Sequence, residues 1–214
     1  MNQYRFTSNS NFPPVVKNLL IINFLVWIAQ LAFDRTMDFT PLIGLWPIDN
    51  PNFRPWQVVT HMFAHAAYSP AGGVQFYHIF FNMLALWMFG RVLENLWGGK
   101  KFLIFYMICG LGAAAVHLLM QYYTGGVSLA VGASGAVYGL LVAFAFLFPN
   151  TPLYLMFIPV PIKAKWAITG ILILDLVFGF TSANTGVAHA AHIGGAITGF
   201  LLVLYWNRKG RNFM

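Results

Sequence analysis

An all-α, polytopic membrane protein built from six helices is the fold class this sequence predicts, and three observations predict it. Of the 214 residues, 59% are apolar and 8% are charged, against roughly 45–50% and 25% in soluble domains. Mean hydropathy is positive. Apolar stretches close to the ~20 residues that cross a bilayer recur along the whole chain. Six are predicted, over residues 15–33, 76–93, 102–123, 134–148, 164–180 and 187–206. They form a single domain at 15–206, flanked by a short polar tail at 1–14 and a basic tail at 207–214, because no linker or low-complexity stretch divides them.

The first stretch reads as a retained helix and not as a cleaved leader. It outruns a leader's apolar region of about 7–15 residues, and no small-x-small site closes it before Asp34 and Arg35. About 40 residues then separate it from the second stretch, far more than a turn needs, and loops of this length tend to be functional. Trp46, Phe53, Trp56 and Phe63 suggest that this loop lies on or partly in a lipid leaflet. The third stretch carries Cys109, the single cysteine, so an internal disulfide is excluded. The fourth, from Ser134, has about 15 residues and spans roughly 22 Å, short of a hydrocarbon core of about 30 Å. Its first residue is therefore expected below the membrane surface.

Charge sets the expected orientation. With a cytoplasmic N-terminus, Arg5, Lys17, Arg91, Lys100, Lys101, Lys163, Lys165, Arg208, Lys209 and Arg211 fall inside, and only Arg35 and Arg54 outside. That bias obeys the positive-inside rule and places both termini in the cytoplasm. Topology and anionic lipid thus account for the net charge of +7, and no nucleic-acid partner is called for.

On this orientation the heads of the second, fourth and sixth helices share the outer layer of the bilayer. They carry His78 and Asn82, Ser134, and His192. Polar side chains in lipid cost several kcal/mol and normally face a bundle interior or a wet cavity. Their convergence therefore predicts a hydrated pocket. His78 and Asn82 are four apart and project from one helix face, as do Ser134 and Tyr138. Gly195 and Gly199 form a small-xxx-small stripe on the face of His192, and such a stripe lets two backbones approach closely. If it packs on the fourth helix, imidazole and hydroxyl come within reach.

These residues resemble the rhomboid family of intramembrane serine proteases. The resemblance rests on His78-x-x-x-Asn82, Gly90-x-x-x-Glu94, Gly132 to Gly135 around Ser134, and Ala191-His192 followed by Gly195 and Gly199. It covers nearly the whole chain after residue 14. It implies a rhomboid-like six-helix bundle with a short fourth helix and a membrane-associated first loop. The implied activity is hydrolysis of transmembrane segments near the outer leaflet by a Ser134–His192 dyad. His78 and Asn82 are implied to stabilise the oxyanion, and Tyr138 to stack on the histidine. Transmembrane proteins are the implied substrates, with the lipid bilayer as the setting, no cofactor, no metal and no obligatory protein partner. The expected location is a bacterial plasma membrane, with a eukaryotic secretory-pathway membrane as the alternative. Two departures touch the first loop: Gln57 follows Trp56 where arginine is usual, and Tyr68 to Gly73 looks like an expansion. They put the seating of the loop in question, not the dyad.

Plainer readings stand beside these. Ser134 also suits a helix N-cap, His192 a packing histidine, Asn82 interhelical glue and Tyr138 an ordinary core aromatic. His189, one turn before His192, competes for the role of base. Asp175 reads as a snorkelling or locally bonded acid, with orientation of a histidine as the alternative. His61 and His65 have the i, i+4 spacing of zinc ligands, but no His-Glu-x-x-His pattern accompanies them and they read as structural. Entry of substrate is expected beside the fifth helix, near Gly170 and Gly179. A non-catalytic rhomboid-like binder and a small transporter are the alternative functions. The first would typically lack the dyad, and the second would more often show internal repeats.

Overall fold

A computed structural model describes residues 11–69, 71–154, 160–181 and 188–211. Its long helices are α1 (Pro14–Met37), α2 (Tyr77–Trp97), α3 (Gly99–Thr124), α4 (Ser134–Leu147), α5 (Ala164–Thr181) and α6 (His189–Arg211). Helices α1, α2, α3 and α6 are long and apolar enough to cross a membrane, and α4 is a shorter apolar helix. The chain is thus a mostly helical integral membrane protein. The expected start of the sixth stretch at residue 187 lies outside the described residues, as do the first ten residues of the N-terminal tail. Helix α6 runs on through 207–211, part of the expected C-terminal tail.

Local chemistry explains the ends of these helices. Pro14 opens α1, where a missing N–H costs nothing. Two of the N–H groups orphaned at that end find a partner across the bundle. Val15 N–H donates to Glu94 Oε1 at 2.9 Å and Val16 N–H to Oε2 at 2.7 Å. Gly98, at φ 78, reverses the chain between α2 and α3, and Gly125, at φ 67, ends α3. A π-helical turn at Leu86–Gly90 interrupts α2, and one-residue insertions of this kind re-aim the side chains on either side.

Leu86, Leu93, Phe102, Phe105, Tyr106 and Leu140 fill the core without exposure. Ile21, Leu25 and Ile28 of α1 and Ile173, Leu174 and Phe178 of α5 face outward, as lipid-exposed residues do. Beside the core, α3, α4 and α6 pack through small residues. A Cβ on Gly135 would strike Ala113 of α3, one on Gly195 would strike the Gly135 backbone, and one on Gly199 would lie 2.6 Å from Gly139 Cα. In lipid, where apolar burial gives no drive, this close van der Waals contact supplies the association.

The clamp at Glu94 carries a prediction. Glu94→Ala leaves two N–H groups at the head of α1 without acceptors and lowers stability by about 2–3 kcal/mol. Thermal melts in detergent measure it, and a midpoint matching that of the parent chain counts against the clamp.

Candidate active site

Ser134 is the first residue of α4, and no side chain caps that helix. The N-cap reading of Ser134 therefore does not hold: its hydroxyl points elsewhere. Ahead of it, Gly132 sits at φ 131, a region closed to most L residues. The loop between α1 and α2 pins this approach, since Leu45 and Ala130 exchange both backbone hydrogen bonds and Gly132 N–H donates to His61 O at 2.9 Å.

His192 lies in the first turn of α6. Its Nε2 is 2.8 Å from Ser134 Oγ, and its ring stacks on Tyr138 with centroids 4.2 Å apart and planes 14° from parallel. The glycine contacts between α4 and α6 begin one turn further on. His192 Nδ1 lies 3.0 Å from Asp175 Oδ1 on α5. His189 Nδ1 lies 3.0 Å from the same oxygen. Asp175 therefore bonds to two histidines and does not reach toward a surface. His189 faces the carboxylate and His192 bridges carboxylate and hydroxyl, which separates the two histidines that compete in the sequence.

His78 lies across the site from His192. Ala66 N–H donates to His78 Nδ1 at 3.1 Å, so the neutral ring carries its proton on Nε2. That nitrogen faces Gly132, where an added Cβ would lie 2.9 Å from it and 3.4 Å from Ser134 Oγ. Asn82 Nδ2 donates to His78 O at 2.8 Å, within its own helix, and its buried Oδ1 accepts no bond among the described residues. No bond from Asn82 to another helix is found among those residues. A cavity of about 450 Å³ is lined by Ser134, His192, His78, Asn82 and Tyr138. Gly195 and Gly199 stand apart from it, in the helix contact. Gly170 faces open space, and a Cβ on Gly179 would lie 2.9 Å from His189 Cβ.

Three polar residues organise this region: Gln57, which the sequence marks only as a departure from a pattern, and Asn23 and Gln30, which it does not mark at all. Gln57 is fully buried. Its Oε1 accepts from Arg54 N–H at 3.1 Å and its Nε2 donates to Asn52 O at 3.1 Å and Pro41 O at 3.3 Å. The residue that departs from the usual arginine thus ties the loop to itself. Asn23 and Gln30 of α1 hold the far end of the loop: Asn23 Oδ1 meets His65 Nε2 at 2.8 Å, and Gln30 Oε1 accepts from His65 N–H at 2.9 Å. Burial pushes the His65 pKa down to about 3 and that of His61 to about 4. Both rings are held neutral, with His61 Nδ1 at 2.8 Å from Gln57 O. Tyr68 and Val74 form a bridge, Ser69 N–H donates to Gly73 O at 2.8 Å, and Tyr68 O–H donates to Leu31 O of α1 at 2.7 Å.

Fold and site together define a class: helical membrane proteins that hold a hydroxyl, an imidazole and a carboxylate in series beside a cavity. The Rhomboid domain profile matches residues 52–209, well over half of the chain. The chain belongs to the rhomboid family. It is 30% identical over 146 residues to Rhomboid protease GluP of Bacillus subtilis (strain 168), covering 68% of this chain and 25% of that protein. To Rhomboid protein 1, mitochondrial, of Saccharomyces cerevisiae (strain ATCC 204508 / S288c) it is 35% identical over 136 residues, with coverages of 61% and 38%. To Rhomboid protease AarA of Providencia stuartii it is 32% identical over 145 residues, with coverages of 58% and 49%. The chain spans a quarter to a half of the length of these relatives. They come from bacteria and from mitochondria, so the expectation of a bacterial plasma membrane finds no support over a mitochondrial one.

Proposed function

We propose that the chain is a serine-type intramembrane endopeptidase that cleaves transmembrane segments of other membrane proteins. On this reading all six helices cross the bilayer, the basic segments and both termini share one side, and Ser134 lies toward the opposite leaflet. The observation that carries it is the 2.8 Å approach of His192 Nε2 to Ser134 Oγ beside a cavity of about 450 Å³.

With the His192 proton on Nδ1, Nε2 accepts the Ser134 proton as Oγ attacks a peptide carbonyl. The bond formed is Oγ–C, and the carbonyl electron pair moves onto oxygen. Donors for that oxyanion are the Ser134 N–H at the head of α4, His78 Nε2–H and the second Asn82 N–H. The imidazolium then passes its proton to the departing amine, leaving an acyl ester on Ser134. Water drawn from the cavity attacks the ester carbon and loses its proton to His192; the C–Oγ bond then breaks, the imidazolium returns the proton to Ser134 Oγ, and the new carboxyl terminus departs. Asp175 accepts the Nδ1–H bond, holds the productive tautomer and stabilises the imidazolium, so it acts as a positioning residue beside the dyad.

Asp175→Asn tests that last role. It lowers kcat by about 10²-fold with KM little changed, since the tautomer is a property of the chemical step. An equal rise in KM at unchanged kcat would make Asp175 a structural residue only. The whole reading is tested by treating the purified protein with a fluorophosphonate probe and with a panel of labelled transmembrane segments. Modification mapped to Ser134 by mass spectrometry, together with cleavage blocked by the same probe, is the expected result. Modification elsewhere, or cleavage that survives full labelling, overturns it.

A further inference from the structure

The cluster on the far side of His192 has chemistry of its own. His189 and His192 are three apart on the first turn of α6 and present Nδ1 to a single oxygen of Asp175, each at 3.0 Å. Each of the three residues offers a ligand atom within 4.8 Å of the others. Side-chain exposures are 14% for His189 and 10% for His192 and Asp175. Asp175 Oδ2 is buried and accepts no hydrogen bond among the described residues. One carboxylate oxygen thus serves two imidazoles, while its neighbour has, among those residues, no hydrogen bond of good geometry and only the Tyr138 hydroxyl nearby. A cation able to draw on the carboxylate and both ring nitrogens would end that imbalance.

We infer that Asp175, His189 and His192 form a binding site for a divalent transition cation of the zinc type, and that occupancy shuts off the serine. Two imidazoles and a carboxylate with a fourth position open to water are a common zinc ligand set. Metal–ligand bonds of about 2.0–2.2 Å in a tetrahedron set ligand atoms roughly 3.3 Å apart. The two 3.0 Å separations from Asp175 Oδ1 need a small expansion to admit the ion, and the two ring nitrogens, within 4.8 Å of each other, need at most a modest rotation of the His189 ring. Imidazole nitrogens favour zinc, copper or nickel over magnesium and calcium, which take oxygen ligands.

The consequence for Ser134 follows from the tautomer and rests on the proteolytic reading above. A metal on His192 Nδ1 takes that nitrogen's lone pair, so the single proton of the neutral ring moves to Nε2. Nε2–H then donates to Ser134 Oγ and has no lone pair with which to accept its proton. The ring stays neutral and stays beside the hydroxyl, yet it is no longer a base. Asp175 is drawn from orientation to ligation at the same time.

The binding test does not depend on proteolysis. The Ser134→Ala chain, stripped with a chelator in detergent, is titrated with Co²⁺ and followed by visible ligand-field absorption. A saturable tetrahedral-type spectrum, displaced by Zn²⁺ and untouched by excess Mg²⁺, is expected. Zinc also protects His189 and His192 of that same chain from carbethoxylation, a readout that needs no further variant. In His189→Gln the zinc needed for half-saturation rises by about tenfold or more, and zinc sensitivity of whatever cleavage that variant retains shifts with it. Absence of the cobalt spectrum together with unprotected histidines overturns the site. So does an unchanged zinc requirement in His189→Gln. Binding in Ser134→Ala with wild-type cleavage indifferent to saturating zinc overturns the shut-off alone. If no transmembrane segment is cleaved at all, the proteolytic reading falls while the cobalt and protection measurements still decide the metal site.

Discussion

His192→Ala lowers cleavage of a transmembrane segment by about 10²- to 10⁴-fold, the range that a positioned general base contributes. The loss lies in kcat. Truncation removes the acceptor 2.8 Å from Ser134 Oγ and empties the face stacked on Tyr138, but leaves His78, Asn82 and the cavity walls in place. Groups that act as one unit are strongly non-additive. Ser134→Ala combined with His192→Ala is therefore no slower than Ser134→Ala by itself. Single-turnover kinetics on one purified substrate, with thermal melts run beside them, provide the measurement. A double variant whose defect is the product of the two single defects would show that the residues do not act together.

Gly132→Ala removes activity by about 10²-fold or more through two separate effects. At φ 131 an alanine strains the backbone by about 1–3 kcal/mol. Its methyl would also lie 2.9 Å from His78 Nε2 and 3.4 Å from Ser134 Oγ, in the space assigned to the oxyanion by the proposed mechanism. The proposed donors then face a carbon atom. Each carbonyl substrate suffers alike, so the defect appears in kcat for every member of a substrate panel. Wild-type rates in a well-folded Gly132→Ala chain would show that the oxyanion forms elsewhere.

Much of this arrangement was legible in the residues because the physics of a bilayer is severe. A serine, a histidine and a His-x-x-x-Asn pair inside apolar stretches stand out, and helical periodicity assigns them to faces. Glycines 195 and 199 mark where two backbones meet, since no larger residue tolerates the contacts at Gly135 and Gly139. What escaped were polar side chains whose partners are remote. Asn23 and Gln30 sit seven apart on one face of α1, a spacing that signals a polar stripe, yet His65 as their shared partner is 42 and 35 residues away. Gln57 drew notice as a departure from a pattern, while its use as a hub for backbone groups of its own loop depends on turns that the pattern does not encode. Asp175 reads in the sequence as a local or snorkelling acid, with orientation of a histidine as the alternative. Its two bonds to α6 arise from how α5 leans on that helix, a tertiary fact that one helix's periodicity cannot carry. The π-helical turn in α2 left no trace in the spacing of its apolar residues.

The backbone contact between α4 and α6 also governs how the molecule tolerates motion. Carbonyl and Cα atoms of Gly135 and Gly139 touch the partner helix directly, so no flexible side chain sits between them to absorb a displacement. Thermal agitation that jostles lipid-facing α5 meets a stiff spine behind it. The imidazole and hydroxyl are thus held to their 2.8 Å spacing by a rigid backbone seam.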